Sequence, residues 1–413
     1  MNFEHSPRTQ ELLAQLIDFQ EQQIAPHEQA HHHELLELPD PWVALPLIDT
    51  LKAKARAAGL WNLFLPADEK LPAGELGGAG LSNVEYAPLA ERMGRSLISS
   101  EVFNCNAPDS GNMEVLLHFG RADQREQWLV PLLDGSIRSA FCMTEPEVAS
   151  SDATNMQATA MLDGEEVVLN GSKWWSTGIG HPNCRVVIFM GLTAPQADRY
   201  HQHSMVLVPL DTPGVKIERM LSTMGFLDAP GGHGEVSFEN VRLPADAIIG
   251  GPGQAFAIAQ ARLGPGRIHH CMRLIGLAEL ALELACERAT SRIAFGKPLA
   301  NLGGNRERIA DARIAIDQAR LRVLHAAWLI DTNSPDALGA VSQIKVLAPN
   351  MTQQVVDMAM QLHGGAGLSN DLPLAAAWTI ARALRLADGP DEVHRGVVAR
   401  LELARYGAGK WSS

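Results

Sequence analysis

The segment RLADGPDEVHR, residues 385–395, places three carboxylates around a Gly-Pro pair within an alanine- and leucine-rich stretch. Proline lacks a backbone donor and disfavours the helical conformation in the residue before it, so the pair predicts that a helix stops here. Carboxylates are among the side chains that act as general bases, and a helix break beside one releases backbone groups from the helical ladder. A solvated acidic turn is the alternative interpretation.

Hydroxyl and indole side chains form a second candidate set. The stretch AFCMTEPEVASSDATNM offers Thr144, Ser150 and Ser151, and hydroxyls in such a turn can bind a heteroaromatic edge or a phosphate. Further on, NGSKWWSTGIG contains a Trp-x-Thr pattern. In a strand this spacing puts Trp175 and Thr177 on one face, an apolar plane beside a donor, which suits a flat cofactor. An ordinary turn and a core tryptophan are the alternatives.

Length and composition indicate the class of protein. The 413 residues are 46% hydrophobic and 20% charged, which is ordinary globular composition for two or three domains. The net charge of -13 argues against binding to nucleic acid or anionic membranes, because both need a basic surface. We find no apolar run long enough to cross a membrane and no signal or transit peptide pattern, so we expect a cytoplasmic protein.

Neither the cysteines nor the clustered histidines indicate a metal site. The five cysteines are scattered without a CxxC motif, which predicts buried free thiols rather than disulfides or a zinc site. Three histidines stand in a row at positions 31–33. Consecutive residues point in different directions on a helix or strand, so a solvated patch is favoured over a metal site.

The pattern of the chain changes twice, which predicts an α+β protein of three parts. Residues 1–138 are predicted to be helical, with Ser82 as an N-cap and Gly120 between two helices. Residues 139–248 contain short β-branched runs between glycine turns, which predicts a small β-barrel or sandwich. Residues 249–413 return to a helical pattern and predict a four-helix bundle.

Apolar residues in this last part recur at steps of three and four. Narrow stripes of this kind suit long helices that pack as in a coiled coil, and their members are predicted to form the core. The first stripe is Ile309, Ala312, Ile316, Ala319, Val323, Ala326 and Ile330, and the second is Val341, Ile344, Ala348, Met351, Val355 and Met358.

Five ordered motifs resemble those of the acyl-CoA dehydrogenases, FAD enzymes that oxidise the Cα–Cβ bond of an acyl-CoA thioester. MTEPEVASSDAT and KWWSTGIG resemble the two flavin motifs, RIAFGKPL the Arg-x-x-Phe-Gly motif, QLHGGAGL the Gln-x-x-Gly-Gly-x-Gly motif, and FENVRLPADAIIGGPGQAF the strand leading into the bundle. The likeness begins near residue 55. CNAPDSGNMEVLLHFG, GPGRIHHCMR and RLADGPDEVH most resemble the kinase-fused mammalian members 10 and 11, although we expect no kinase-like domain within these residues.

The resemblance implies flavin-binding roles in the middle part. Thr144 would hydrogen-bond the pyrimidine edge of the isoalloxazine ring, and Ser151 would bind the FAD pyrophosphate. Trp175 would pack against the ring, while Thr177 would donate to flavin N5. This chain has one more residue between Glu-Pro and Ser-Asp than commoner members, which leaves Ser150 as an alternative to Ser151.

A second group of residues matches family positions that hold the ADP half of an FAD bound by the neighbouring subunit. A forked arginine suits phosphate, and glycines allow close approach of the backbone. A site completed across an interface implies a homodimer or homotetramer. An exposed helix charge and a helix C-cap are the alternatives. The group comprises Arg292, Phe295, Gln361, Gly364 and Gly365.

The resemblance also assigns the base. Counting back from VVAR at 397–400, the family's glutamate, which removes the α-proton of the thioester, corresponds to Asp388, followed by Gly389. A helix broken there leaves a backbone amide for the thioester oxygen. Aspartate is one methylene shorter than glutamate, so the role could lie with Asp391 or Glu392 instead.

Residues of the preceding helix bear on the same site. Some family members carry the base just before an arginine there, but that position is Gly266, ahead of Arg267, so side-chain chemistry excludes it. Arg267 would lie near the CoA chain and the base. His269 and His270 could be polar pocket walls, or core or surface residues.

The leading hypothesis is an FAD-dependent acyl-CoA dehydrogenase that passes electrons to an electron-transfer flavoprotein. One alternative follows from the subgroup likeness, namely removal of phosphate from a 4-phosphorylated acyl-CoA derived from a 4-hydroxyacyl-CoA, which Arg267 and the two histidines would suit. Another is a non-catalytic flavoprotein of the same fold, supported only by the change from glutamate to aspartate.

Overall fold

The computed structural model describes residues 4–72 and 74–407, which divide into two compact units. The helical unit comprises the described residues up to 33, residues 81–100 and the chain from 267 onward, and the sheet unit comprises residues 34–80 and 101–266. Each unit therefore contains part of the predicted N-terminal region. The predicted boundaries at 138 and 248 stay a prediction.

The described helices form most of the first and last parts of the chain. They are Pro7–Phe19 (α1), Ala25–Glu37 (α2), Pro46–Ala57 (α3), Asn83–Met93 (α4), Ser99–Val102 (α5), Asp109–Phe119 (α6), Ala122–Gln124 (α7), Val130–Asp134 (α8), Ala255–Ser291 (α9), Asn305–Asp331 (α10), Ala337–His363 (α11), Leu374–Ala383 (α12) and Asp391–Ala404 (α13). A π-helical turn over residues 20–24 joins α1 to α2, and a second one joins α7 to α8.

Packing in the helical unit follows the predicted apolar stripes. Helix α11 packs against α10, α12 and α13. Ala312, Ile316, Ala319 and Val323 of α10 are buried, while Ile309 near the start of the helix is half-buried. The prediction that these stripes form the core is therefore confirmed for their central residues.

Helix α4 begins and ends as its sequence suggests. The Ser82 hydroxyl accepts from the Glu85 amide, and the Glu85 carboxylate accepts from the Ser82 amide at 3.1 Å, a complete capping box. At its other end the backbone of α4 approaches α9 closely. A Cβ on Gly276 would lie 1.7 Å from the Glu91 carbonyl oxygen, and one on Gly94 would collide with the backbone of Arg273.

The strands form one mixed sheet and one short hairpin. They are Arg138–Cys142 (β1), Thr159–Asp163 (β2), Glu166–Thr177 (β3), Cys184–Leu192 (β4), His203–Pro209 (β5), Val215–Leu221 (β6), His233–Pro244 (β7), Ile293–Ala294 (β8) and Lys297–Pro298 (β9). The described seven-stranded sheet has the order β1-β4-β2-β3-β7-β6, with β5 also paired to β4. Strands β1 and β4 are parallel, whereas β3–β7, β4–β5 and β6–β7 are antiparallel.

One apolar core lies within the sheet unit. Residues of six strands contribute to it, among them Ala140, Val167, Phe189, Val206 and Phe238. The Phe189 and Phe238 rings pack with centroids 4.6 Å apart. The α+β class, with helical N- and C-terminal parts before and after a β region in the sequence, is confirmed.

The structure agrees with the prediction for most of the cysteines but not with the prediction for all three consecutive histidines. Four cysteines are buried free thiols, and Cys286 is a half-buried one. The expected solvated histidine patch is wrong for His31, which is only 4% exposed because α2 turns this side chain inward.

Among the described residues, no three His, Cys, Asp or Glu side chains are arranged to hold a metal ion. In the same residues we find no helix with the length and apolar character needed to span a membrane.

The close approach of α4 and α9 predicts the cost of a single methyl group. Gly276→Ala should destabilise the protein by about 1–3 kcal/mol, because its Cβ has no space beside the Glu91 carbonyl. Gly396→Ala in α13 is the matched control, since nothing lies within 4 Å of its Cβ, and it should gain roughly 0.5–1 kcal/mol. Urea unfolding of the full chain measures both, and equal effects would contradict the packing argument.

Candidate functional site

A buried ion pair joins the two hydroxyl-bearing motifs. The Lys173 ammonium on β3 donates to Glu145 Oε1 at 2.7 Å and to the Met143 carbonyl at 2.9 Å. Glu145 also accepts from the amides of Gln157 at 2.8 Å and Ala158 at 3.0 Å. Burial lowers the pKa of Lys173, and the Glu145 carboxylate opposes that change. The pair therefore fastens the loop after β1 to β3.

This loop carries the predicted Thr144, Ser150 and Ser151. The Thr144 carbonyl accepts from the Trp174 amide at 2.9 Å, which fixes Thr144 against β3. The Ser150 hydroxyl accepts from the Glu145 amide at 2.9 Å and so closes the turn. Ser151 is exposed, and within the described ranges its hydroxyl has no hydrogen-bond partner. Of the two serines, Ser151 has the hydroxyl available to a ligand.

Trp175 lies at a bulge rather than in a regular strand. Lys173 pairs with Val236 and Ser176 with Gly234, so two residues of β3 oppose one of β7 between these pairs. Trp175 has φ +52° and is 40% exposed. The bulge turns its indole ring outward on the sheet.

Trp175 and Thr177 meet at His233, the first residue of β7. The ring centroids of Trp175 and His233 are 5.6 Å apart, and Thr177 Oγ1 lies 3.0 Å from His233 Nδ1. On its other side, His233 Nε2 lies 3.7 Å from Asp228 Oδ2. Burial lowers the pKa of His233, so its ring is neutral near pH 7. The structure thus brings these two predicted residues together.

Arg292 and Phe295 belong to an exposed hairpin in the helical unit. Strands β8 and β9 pair, and Phe295 and Gly296 form the turn between them with φ +51° and +76°. The Phe295 side chain is 95% exposed. Arg292 is also exposed, and its amide donates to the Arg288 carbonyl at the end of α9.

Gln361, Gly364 and Gly365 lie at the end of α11 and just beyond it. All three are exposed, and Gly364 has φ +63°. No hydrogen bond or ion pair in the described part of the chain joins this group to Arg292 or Phe295. The predicted ADP-binding residues therefore form two separate exposed segments within one chain.

Asp388 stands in a left-handed turn between α12 and α13. Helix α12 ends at Ala383, earlier than the Gly-Pro pair predicts, and turns continue to Ala387, whose amide donates to the Ala383 carbonyl at 3.0 Å. Asp388 and Gly389 then have φ +56° and +100°. Aspartate is one of the few residues other than glycine that adopts this conformation readily, which explains how the chain reverses here.

Two side chains hold the backbone of this turn. The Asp388 carbonyl accepts from Arg267 Nε at 2.9 Å and from His394 Nε2 at 3.3 Å. Burial, with Arg267 and Lys345 nearby, lowers the pKa of His394 to about 4. A Cβ on Gly389 would lie 3.0 Å from His394 Nε2, so glycine allows the turn to pack on this ring.

The Asp388 carboxylate faces α9 rather than bulk solvent. Its Oδ2 lies 3.5 Å from His270 Nε2, and the side chain is 21% exposed. The rival carboxylates are placed differently. Asp391 is buried and accepts from Arg385 and from Asn350, whereas the Glu392 side chain is 77% exposed. Of the three acids, Asp388 alone combines partial burial with a contact to α9 in the described residues.

His269 and His270, which are consecutive in α9, have different surroundings. His269 is 2% exposed and packs edge-on against Tyr86, with ring centroids 4.9 Å apart. Burial lowers its pKa to about 3, and the charges of Arg273 and His270 add to this effect. His269 is therefore a core residue, whereas His270 lies between Arg273 and the candidate base.

Sequence reasoning quoted both flavin-like motifs but missed Glu145 and Lys173 as a pair. A signal existed, because Lys173 continues the inward-facing series of Val167 and Leu169 in β3, and a buried lysine needs a partner. The contact of His233 with Thr177 joins residues far apart in the sequence. No local pattern could have indicated it.

Comparison with known proteins identifies the family. The acyl-CoA dehydrogenase N-terminal, middle and C-terminal domain models match residues 6–136, 140–241 and 253–403. The chain belongs to the acyl-CoA dehydrogenase family. It is 53% identical over 401 residues to mouse acyl-CoA dehydrogenase family member 10. The match covers 96% of this chain and 37% of the mouse protein.

Two further relatives show the same likeness. The probable acyl-CoA dehydrogenase FadE2 of Mycobacterium tuberculosis is 52% identical over 369 residues, covering 89% of this chain and 88% of FadE2. A solved structure of a putative acyl-CoA dehydrogenase from Mycobacterium abscessus is 68% identical, with a TM-score of 0.94, and the match covers 98% of this chain and 100% of that one. The resemblance inferred from the motifs is confirmed. This chain spans little more than a third of the length of the mouse protein.

The buried pair Glu145–Lys173 yields a stability prediction. Lys173→Met leaves the Glu145 carboxylate buried without its cation, so unfolding free energy should fall by about 3–5 kcal/mol. Lys216→Met is the matched control, because the Lys216–Glu218 pair is exposed, and it should change little. Urea titration followed by circular dichroism measures both variants. Equal losses in the two variants would show that the buried pair has no special role.

Proposed function

We propose that this chain is an FAD-dependent acyl-CoA dehydrogenase in which Asp388 removes the α-proton of a CoA thioester. The observation that carries the proposal is the left-handed turn that holds a partly shielded carboxylate beside Arg267 and His270. Family membership and relatives named acyl-CoA dehydrogenases support the reaction class.

Three features of the sheet unit fit the ring of FAD. The Trp175 ring offers an exposed aromatic surface, and Thr177 offers a hydroxyl beside it. The Trp174 Nε1 donor is buried and has no acceptor among the described residues, so a bound group could satisfy it. In this proposal Thr144, Trp175 and Thr177 hold the ring, and Ser151 rather than Ser150 binds the pyrophosphate. Bound FAD would supply the acceptor for the β-hydrogen as hydride.

The helical unit supplies the acid–base chemistry. The Asp388 side chain is only 21% exposed, so little solvent competes with a substrate for its carboxylate. The Gly389 amide has no acceptor among the described residues and could donate to the thioester oxygen as negative charge develops there. Arg267 adds positive charge next to the same turn. Because the left-handed backbone sets where this carboxylate stands, a shorter acid can take the role of the family's glutamate.

The phosphate-removing alternative receives less support from the described side chains. It depended on Arg267, His269 and His270 as an anion pocket. His269 is a neutral core residue, and Arg267 donates its Nε–H to the Asp388 carbonyl. The Asp388 carboxylate, 3.5 Å from His270 Nε2, also disfavours a phosphate group there through like-charge repulsion.

We also propose that the ADP half of FAD is held by Arg292, Phe295, Gln361, Gly364 and Gly365 of a second copy of the chain. The exposed Phe295 supports this, because an almost fully exposed aromatic side chain at a hairpin tip suits burial against another surface. A homodimer is the minimum assembly, and a homotetramer built from two dimers satisfies the same requirement. An electron-transfer flavoprotein is the proposed electron acceptor.

Anaerobic bleaching of bound FAD by acyl-CoAs tests the proposal. Asp388→Asn keeps a residue that tolerates the left-handed turn but removes the base, so the bleaching rate should fall by roughly 10²–10⁴-fold. Acyl-CoA binding and the oxidised FAD spectrum should be retained. Glu392→Gln, which changes a nearby exposed acid, is the control and should bleach like the unaltered protein.

Two results would count against this function. Rapid bleaching of Asp388→Asn would exclude Asp388 as the base. A yellow protein whose FAD no acyl-CoA bleaches would favour a non-catalytic flavoprotein.

A further inference from the structure

A hydroxyl, an imidazole and a carboxylate lie next to one another in the sheet unit. Thr177 Oγ1 lies 3.0 Å from His233 Nδ1, and His233 Nε2 lies 3.7 Å from Asp228 Oδ2. Family roles assigned from the sequence include Thr177 but neither His233 nor Asp228. Thr177, His233 and Asp228 together form a relay.

The sheet fixes Thr177 and His233, two of the three residues of the relay. Thr177 and His233 are paired residues of β3 and β7, and His233 is also paired with Leu221 of β6. The loop before His233 is fastened to the end of β3, because the Gly178 amide donates to the Gly232 carbonyl at 2.9 Å. Backbone pairing therefore sets the distance between the hydroxyl and the ring.

The proton on the histidine decides what the hydroxyl can do. Thr177 has one proton and His233, being neutral, also has one on its ring. If that proton is on Nδ1, His233 donates to Thr177, and Thr177 can donate outward. If it is on Nε2, Nδ1 accepts the Thr177 proton, and Thr177 presents only lone pairs outward.

The Asp228 carboxylate favours the second arrangement. Because 48% of its side chain is exposed, Asp228 stays hydrated and ionised near pH 7, and its negative charge 3.7 Å from Nε2 stabilises a proton on that nitrogen and repels a lone pair there. The Trp175 ring packs on the imidazole and limits its access to water. The geometry points to His233 as a positioning residue that holds Thr177 as a hydrogen-bond acceptor toward the bound flavin.

This inference rests on the proposed function, since it concerns the residue that would face flavin N5. It also differs from the role implied by the resemblance, in which Thr177 only donates. An acceptor at that position would pair with the N–H that N5 carries after reduction and would leave the bare N5 of the oxidised ring without a donor. The relay should therefore favour reduced over oxidised FAD.

The midpoint potential of bound FAD tests the relay. In His233→Phe, Thr177 can rotate and donate, so the equilibrium should shift about tenfold toward oxidised FAD, a fall of about 30 mV for a two-electron couple. His233→Asn, whose amide oxygen can replace Nδ1 as acceptor, should restore most of the potential, and Asp228→Asn should lower it partly. In a Thr177→Val background, His233→Phe should have no effect, because the relay acts through the hydroxyl.

The histidine tautomer gives a second readout. In protein labelled with ¹⁵N-histidine, with the signal assigned by its loss in His233→Asn, the proton should be found on Nε2. His203→Asn is a control for general loss of structure, since His203 is a buried histidine of the same sheet that contacts the Met156 carbonyl instead. It should leave the His233 tautomer and the potential unchanged.

The outcomes separate the relay from the proposed function. A proton on Nδ1, an unchanged potential in His233→Phe, or a shift that persists with Thr177→Val would overturn the relay, even in a protein whose FAD is bleached by acyl-CoA. Failure of the unaltered protein to bind FAD would overturn both.

Discussion

The chemistry proposed for this chain depends on a left-handed turn of two residues. Asp388 and Gly389 both have positive φ, a conformation that costs most residues roughly 1–2 kcal/mol, although aspartate tolerates it better than most. Arg267 and His394 bind the Asp388 carbonyl and hold the turn in place. The same backbone geometry that favours aspartate, asparagine or glycine also directs the carboxylate toward His270. Among the residues that this conformation favours, aspartate is the one that also supplies a carboxylate at position 388.

In the sheet unit, a buried ion pair rather than a strained backbone holds the candidate site residues in place. Two motifs that are separate in the sequence must be held next to each other, and the buried Glu145–Lys173 pair does this. Burial costs both groups hydration, but backbone amides and a carbonyl supply the remaining hydrogen bonds. With the loop fixed in this way, the bulge at Trp175 and the pairing of Thr177 with His233 have a defined place on the sheet.

Periodicity, caps and ordered motifs were enough to predict the class of fold, the core stripes of α10 and α11, and family membership. They could not locate the end of α12, because turns after Ala383 satisfy the backbone before the Gly-Pro pair is reached. Nor could alternation predict the bulge at Trp175, which depends on pairing with a distant strand. The prediction that His31 is solvated is wrong, and the sequence left the place of His269 open. In both cases tertiary packing decides whether a single histidine is buried.

The central claim is that Asp388 meets the α-carbon of a CoA thioester. A crystal structure of the protein with FAD and a non-oxidisable acyl-CoA analogue tests it most directly. We predict a carboxylate oxygen of Asp388 about 3–3.5 Å from the α-carbon, with the flavin ring beside Trp175 and Thr177. An α-carbon lying against a different acid, or an Asp388 side chain directed into bulk water, would contradict the account.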